Sequence, residues 1–456
     1  MSTANILSEP TARKSRRYLL NWDFLLPLLL FTVTVLIFRF TELDLKFQSL
    51  FYRSGTGWYL KNLPLIRILY NYGNLPALLL ALCGVILFGL SFFTVKYIKW
   101  RKIGIFLVLV MLIGPGLIIN LTLKDHWGRP RPRNVIEFGG KYNFEEILSV
   151  DLSSPGKSFP SGHASMGFYL LTPWFLLRKK RQRWAAFFLF IGLAFGLLMG
   201  WARIAQGGHW LSDVITSGIL VYLTAAAVFY LLKLNSAPFY LSQTQIISSG
   251  QRLVAVSIII VLLIFLLLGV SLAAPYEMKR SYLSSLPDKN APFRLLEMNI
   301  ADGDITLKPK PDIQISFDTQ GFGFPGCKLI TSFKEEMHSD TLAVVFSQSK
   351  KGIFSELNNT IMCGFPFEKS GKVKLHLNDG NAVIALPENS DTLALDIFIN
   401  KGTLDLDLPS SFKPRITLKG DCELIDKTGF TSSDKVYINE DFNVYIAVAK
   451  GKVILR

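Results

Sequence analysis

Apolar residues gather in long uninterrupted runs through the first 274 positions and then give way to a two-residue alternation. The runs Trp22–Thr41, Leu75–Val95, Ile103–Leu123, His163–Leu177, Trp184–Ala202, Val214–Leu232 and Leu253–Ala274 predict seven membrane-crossing helices. A bilayer core takes about 20 apolar residues per helix. The fourth run is short, and Pro160 with Gly162 lets its helix begin just before it. The first run follows a basic stretch, but no small-residue cleavage site comes after it, so it reads as a span rather than a removable signal.

From Tyr276 onward the segments Asp304–Lys308 (DITLK), Lys372–Leu377 (KVKLHL) and Thr392–Ile399 (TLALDIFI) alternate, with Gly, Asn and Asp between them. That period predicts an all-β domain. Gly402–Pro409 (GTLDLDLP) and Ala382–Pro387 (AVIALP) hint at a repeated strand-and-turn unit. The expected architecture is an all-α polytopic membrane helical bundle followed by an all-β soluble domain. Its parts are an N-terminal segment 1–21, a bundle over 22–235, a linker and last helix over 236–274, and a β-rich domain over 275–456.

Charge sharpens this division. Residues 1–274 hold 27 Lys+Arg against 10 Asp+Glu, a balance of +17, and residues 275–456 hold 22 against 24, a balance of −2. The surplus belongs to the membrane half, which argues against nucleic acid as a partner. The clusters Arg13–Arg17, Lys96–Lys102 and Arg178–Arg183 fall between spans and read as topology signals on the cytoplasmic side. With the N-terminus inside, seven spans place the β-rich domain outside. Cys83 reads as an inert core residue. Cys327, Cys363 and Cys422 permit at most one internal bridge. His338 and His376 read as ordinary residues of the β domain.

Three short segments carry the chemistry: Lys124–Pro132 (KDHWGRPRP), Pro160–His163 (PSGH) and Arg203–Asp213 (RIAQGGHWLSD). Each lies at the end of an apolar run, and counting crossings brings all three to one face of the membrane. Lys124, Arg131 and Arg203 supply fixed positive charge for phosphate oxygens, arginine being suited to paired hydrogen bonds. Pro160–His163 opens a helix, whose free N–H groups favour an anion. Gly162 allows close backbone approach and Ser161 adds a hydroxyl. His209 and Asp213 are four apart, a spacing that stacks them on one helix face, so the carboxylate can orient the imidazole for attack on phosphorus. His163 is placed to protonate the leaving oxygen and then activate water. His126, Arg129 and Arg133 read as headgroup contacts or loop solvation.

Lys124-x6-Arg131-Pro132, Pro160-Ser161-Gly162-His163 and Arg203-x5-His209-x3-Asp213 resemble the three signatures of the type 2 phosphatidic acid phosphatase (PAP2) superfamily. The resemblance covers roughly residues 20–235. It implies a six-helix core, a phosphohistidine on His209 and acid/base duty for His163; neither cofactor nor metal is expected, because Lys124, Arg131 and Arg203 supply the positive charge. The serine usual before the arginine of the third signature is Ala202 here.

The function expected from these residues is hydrolysis of an outer-leaflet lipid phosphate, in the inner membrane of a Gram-negative bacterium, with a periplasmic active site and a periplasmic β domain. The expected partners are a lipid phosphate and the phospholipid bilayer; the motifs look most like the lipid A 1-phosphatase branch. Undecaprenyl diphosphate and phosphatidylglycerol phosphate are the competing substrates. A lipid phosphotransferase, or a non-catalytic envelope-binding protein acting through its β domain, is the alternative, and what that domain binds is not readable from its residues.

Overall fold

A computed structural model of the chain describes residues 22–53, 57–93, 95–140, 142–151, 156–235, 249–272, 274–284, 293–338, 341–367, 370–387, 394–407, 415–426, 436–437 and 443–455. The basic cluster Arg13–Arg17 and most of the linker expected after residue 235 lie outside these residues. Contacts divide the chain into two compact units, Met1–Leu268 and Gly269–Arg456.

The first unit is helical. Among the described residues, five stretches are long and apolar enough to cross a membrane: Trp22–Phe40, Pro64–Phe93, Tyr97–His126, Gln182–Ala205 and Leu211–Leu231. Its elements are α1 (Trp22–Phe40), α2 (Leu43–Ser49), α3 (Pro64–Tyr72), α4 (Leu75–Phe93), α5 (Arg101–Met111), α6 (Gly162–Phe168), α7 (Pro173–Leu177), α8 (Gln182–Ala205), α9 (Leu211–Leu231) and α10 (Ser249–Leu272). The α1 helix buries Asp23, Pro27, Thr34 and Phe38 and turns Leu26, Leu29 and Leu36 outward. Polar residues inward and leucines outward is the arrangement lipid favours. Cys83 also faces outward from α4, correcting its expected place in the core.

The fourth expected span is not one helix. Helices α6 and α7 are separated by a 3-10 turn, Tyr169–Leu171, ahead of Pro173. A proline has no N–H to continue the ladder. Helix α5 likewise runs on as a π-helix, Leu112–Leu123, around Pro115, and the Asn120 amide bonds back to the Pro115 carbonyl at 2.7 Å. At the end of the bundle opposite the motifs, Arg178 makes two bonds of 2.6 Å to Asp23, which also accepts the Tyr230 hydroxyl at 2.6 Å. The guanidinium lies 4.6 Å from the centre of the Trp174 ring and 5.2 Å from that of Phe229. Arg178 therefore clamps α1 to the core, which a topology charge would not do.

The second unit is a 13-stranded assembly whose central strands run parallel. Strands are numbered in chain order: β1 (Tyr52–Arg53) and β2 (Gly57–Trp58) belong to the helical unit, and β3 (Ala274–Leu283) opens this one. The strands that follow are β4 (Phe293–Asp302), β5 (Asp304–Pro309), β6 (Gln314–Gly323), β7 (Lys328–His338), β8 (Thr341–Lys351), β9 (Phe354–Phe365), β10 (Ser370–Asp379), β11 (Ala382–Ala385), β12 (Ala394–Asp407), β13 (Arg415–Asp426), β14 (Val436–Tyr437) and β15 (Asn443–Leu455). One parallel ladder joins β8, β4, β10, β12, β15 and β13 in that order. A second joins β9, β5, β11 and the latter halves of β12, β15 and β13.

Each coil thus contributes a long strand, a glycine corner and a second strand. The alternation puts Leu296, Met298 and Ile300 of one coil above Val373, Leu375 and Leu377 of the next, then Leu395, Ile397 and Ile399. At the corners Gly303, Gly380 and Gly402 have φ of +140°, +142° and +146°. Their backbones stack so closely that a Cβ on Gly402 would strike the Gly380 carbonyl. The hinted repeat is this stacked corner. Cys327 and Cys363 are free thiols, and Cys422 lies in β13 with its side chain outside the described residues. His376 packs beside Phe398 on the outer surface, ring centres 5.8 Å apart.

Candidate active site

The three motif segments meet at the end of the bundle where the helix containing Lys124 stops, α6 begins, and α8 passes to α9. The α9 N-terminus organises the meeting. Asp213 is its third residue, and Asp213 Oδ2 accepts the backbone N–H of Trp210, the N-cap, at 2.9 Å. A carboxylate there meets free N–H groups and the positive end of the helix dipole. His209 precedes the helix, so the expected stacking of His209 and Asp213 on one helix face is corrected: the cap brings them close.

The imidazole is held otherwise than expected. His209 Nδ1 donates to the Ser158 carbonyl at 2.6 Å, and the nearest Asp213 oxygen is 3.7 Å from the same nitrogen. The Ser158 hydroxyl donates to Asp213 Oδ2 at 2.6 Å. Ser158 therefore stands between the carboxylate and the ring, and no motif spacing points to it. A carbonyl only accepts, so the proton sits on Nδ1 and the neutral ring keeps its lone pair on Nε2. Burial, helped by the charges of Arg203 and Arg131, pushes His209 down to about 4, against the pull of Asp213.

Arg129 was expected to contact headgroups or solvent; it is instead wholly buried. It bonds Asp213 at 2.6 Å and Asp44, from α2, at 2.8 Å. Burial opposes its charge, but Asp213 and Asp44 outweigh that and hold its pKa above the usual value. Burial dominates at Asp44, whose carboxyl lies above its usual range even beside Arg129. The Trp210 indole N–H donates to the Pro130 carbonyl at 2.9 Å, and the Arg133 N–H to the Gly207 carbonyl at 3.1 Å, fastening the first motif to the third.

The second motif packs against the same frame. Ser161 is the N-cap of α6; its hydroxyl oxygen accepts the Ala164 N–H at 3.4 Å, and its own carbonyl accepts the Ser217 hydroxyl at 2.9 Å. A Cβ on Gly162 would meet Asn120 Oδ1 and push that amide aside, so glycine gives the π-helix side chain its room here. His163 stacks on Tyr70 of α3, ring centres 5.2 Å apart and planes 12° apart. The Arg203 guanidinium lies 4.5 Å from the centre of that same ring and bonds Gln206 at 2.8 Å. Tyr70, outside every motif, thus joins His163 to Arg203. Lys124 and Arg131 are half-buried at this end, and Arg131 reaches the centre through its charge on His209.

The structure therefore brings His209, Asp213, His163, Arg203, Ser161 and Gly162 into one connected frame and adds Ser158, Arg129, Asp44 and Tyr70. Ala202 is buried in the apolar core of the bundle, directly before Arg203.

Residues 104–237 match the PAP2 superfamily. A lipid A 4′-phosphatase of Francisella tularensis subsp. novicida (strain U112) is 34% identical over 196 residues, 42% of this chain and 87% of that protein. Two further lipid A 4′-phosphatases, of Rhizobium leguminosarum and Rhizobium etli (strain ATCC 51251 / DSM 11541 / JCM 21823 / NBRC 15573 / CFN 42), are each 37% identical. They match over 121 and 120 residues, 26% of this chain and 48% and 44% of theirs. These relatives carry the 4′ name, where the motifs had suggested the 1-phosphatase branch. Three signatures converging on one buried imidazole, in a chain that spans most of a one-third-identical relative, place it: the chain belongs to the PAP2 superfamily.

Proposed function

We propose that the chain is an integral membrane phosphatase that removes a phosphate from a lipid A-type glycolipid, with His209 as nucleophile. The observation that carries this reading is the state of His209: buried, neutral at physiological pH, and with Nδ1 occupied so that Nε2 is the basic nitrogen. A neutral imidazole with a directed lone pair attacks phosphorus without first losing a proton.

In the first step Nε2 displaces the lipid oxygen and forms phosphohistidine, while His163 protonates the departing alkoxide. In the second, His163 takes a proton from water, which attacks the phosphohistidine and frees phosphate and the ring. Arg203, Arg131 and Lys124 stabilise the charge that spreads over the equatorial oxygens. Arg203 is well placed for this because its stack on Tyr70 and its bond to Gln206 orient the planar fork beforehand.

The 4′-phosphate is the preferred target on the names of the relatives. An outer-leaflet substrate and a periplasmic site in the inner membrane follow the basic loops and remain part of this proposal. The test is to incubate full-length purified protein with lipid A, undecaprenyl diphosphate and phosphatidylglycerol phosphate in parallel, measuring free phosphate and product mass. Loss of the 4′-phosphate from lipid A is the expected result. A phosphorylated acceptor lipid without free phosphate would replace hydrolysis by transfer. No turnover of any substrate would leave the envelope-binding reading.

A further inference from the structure

Arg129 and Asp44 are two buried charged residues at this end that the chemistry above leaves unused. Arg129 Nη1 donates to Asp213 Oδ1 at 2.6 Å and to Ser212 Oγ at 2.8 Å; Nη2 donates to Asp44 Oδ2 at 2.8 Å, and Nε to the Glu145 carbonyl at 2.9 Å. Four of the five guanidinium N–H groups are thereby committed. The side chain is fully buried. Its geometry is that of a frame member rather than a phosphate ligand.

Asp44 completes the frame from a helix outside the family-matching residues. Its Oδ1 accepts the Ser212 N–H at 3.0 Å and its Oδ2 the Ser212 hydroxyl at 2.5 Å. Asp44 thus holds both Arg129 and the first turn of α9. Arg129 in turn meets both supports of the imidazole. Its guanidinium grips Asp213, and its main-chain carbonyl accepts the Ser158 N–H at 3.0 Å, while the Ser158 carbonyl holds His209 Nδ1.

We infer that Arg129 and Asp44 are positioning residues that set the angle of the His209 ring through Ser158 and Asp213. Ser158, not Asp213, is the group that orients the ring directly; Asp213 acts one bond further back, through the Ser158 hydroxyl and the Trp210 N–H. This rests on the proposed role of His209. A small rotation of a nucleophile lowers the rate of the chemical step on the order of 10²-fold without weakening substrate capture.

The experiment uses full-length protein in detergent with lipid A and follows free phosphate. Asp44→Asn and Arg129→Lys are expected each to lower kcat by about 10- to 100-fold with KM held within about threefold. In an Asp213→Asn background, Arg129→Lys is expected to cost far less than it does alone, because both act through one ring. Asp44→Asn keeps the buried guanidinium and covers the case in which Arg129→Lys does not fold, which a melting curve reports. A raised KM with unchanged kcat, or losses that simply multiply in the double variant, would overturn the inference while leaving the phosphatase intact. Absence of turnover in the unaltered protein would overturn both.

Discussion

His209 and Ser158, 51 residues apart, share a short contact at the centre of the site: Nδ1 donates to the main-chain carbonyl at 2.6 Å. A main-chain acceptor is indifferent to side-chain substitution at that position, and it cannot take the ring proton. The tautomer with a free Nε2 lone pair is thus secured by the backbone, while Asp213 supplies a negative charge one step away.

The protonation of His209 can be read directly. Its folded-state pKa of about 4 lies below the ordinary 6.5, so between these values the unfolded chain binds the extra proton. The contribution of this group to stability is complete above about pH 6.5 and is lost as pH falls towards 4. NMR titration of histidine-labelled protein is expected to show one ring still neutral at pH 5, absent in His209→Gln. A ring titrating near 6.5 at that position would contradict its burial.

Removing the proposed nucleophile should leave almost no turnover. His209→Ala is expected to lower kcat by at least about 10³-fold and to yield no acid-labile phosphoenzyme. Substantial residual turnover would assign the attack to another group.

Arg203→Lys keeps the charge but gives up the planar face on Tyr70 and the paired donors. About a 10- to 100-fold fall in kcat/KM is expected, with the melting temperature little changed. Equal activity would mean that a point charge suffices there.

The Asp23–Arg178 clamp lies away from the chemistry. Asp23→Asn should destabilise the bundle by about 2 kcal/mol, since a half-buried guanidinium loses its counter-charge. Turnover per folded molecule should be unchanged; a matching loss of kcat would tie the two ends of the bundle together.

In the β unit, Gly402→Ala meets both a positive φ and the Gly380 carbonyl. A loss of about 3 kcal/mol or more is expected from chemical denaturation of that unit. Unchanged stability would mean the glycine stack is not tight.

Helix and strand were legible because they are local properties. The length of an apolar run against the bilayer places the long helices, and a period of two places the strands; the corners at Gly380 and Gly402 emerge only from the stacking of one coil on the next. The motif residues His163, Arg203, His209 and Asp213 were legible as chemistry, because a cation or imidazole beside a long apolar run needs a reason to be there. The break at Tyr169–Leu171 was hidden by an apolar run that looks continuous.

Partnership was decided only by the tertiary structure. Arg129 looks like any loop arginine until α2 delivers Asp44 and α9 delivers Asp213, and neither distance nor burial is written in the spacing of residues 124–132. Tyr70 and Ser158 likewise acquire roles only when α3 and the loop before α6 close over the site. The sequence by itself determined which elements form and which groups can do phosphate chemistry. Which carbonyl holds the His209 ring, and which charges offset one another in the interior, depends on segments up to 168 residues apart meeting where water is excluded. There a buried charge must find its partner, and only packing decides which one it finds.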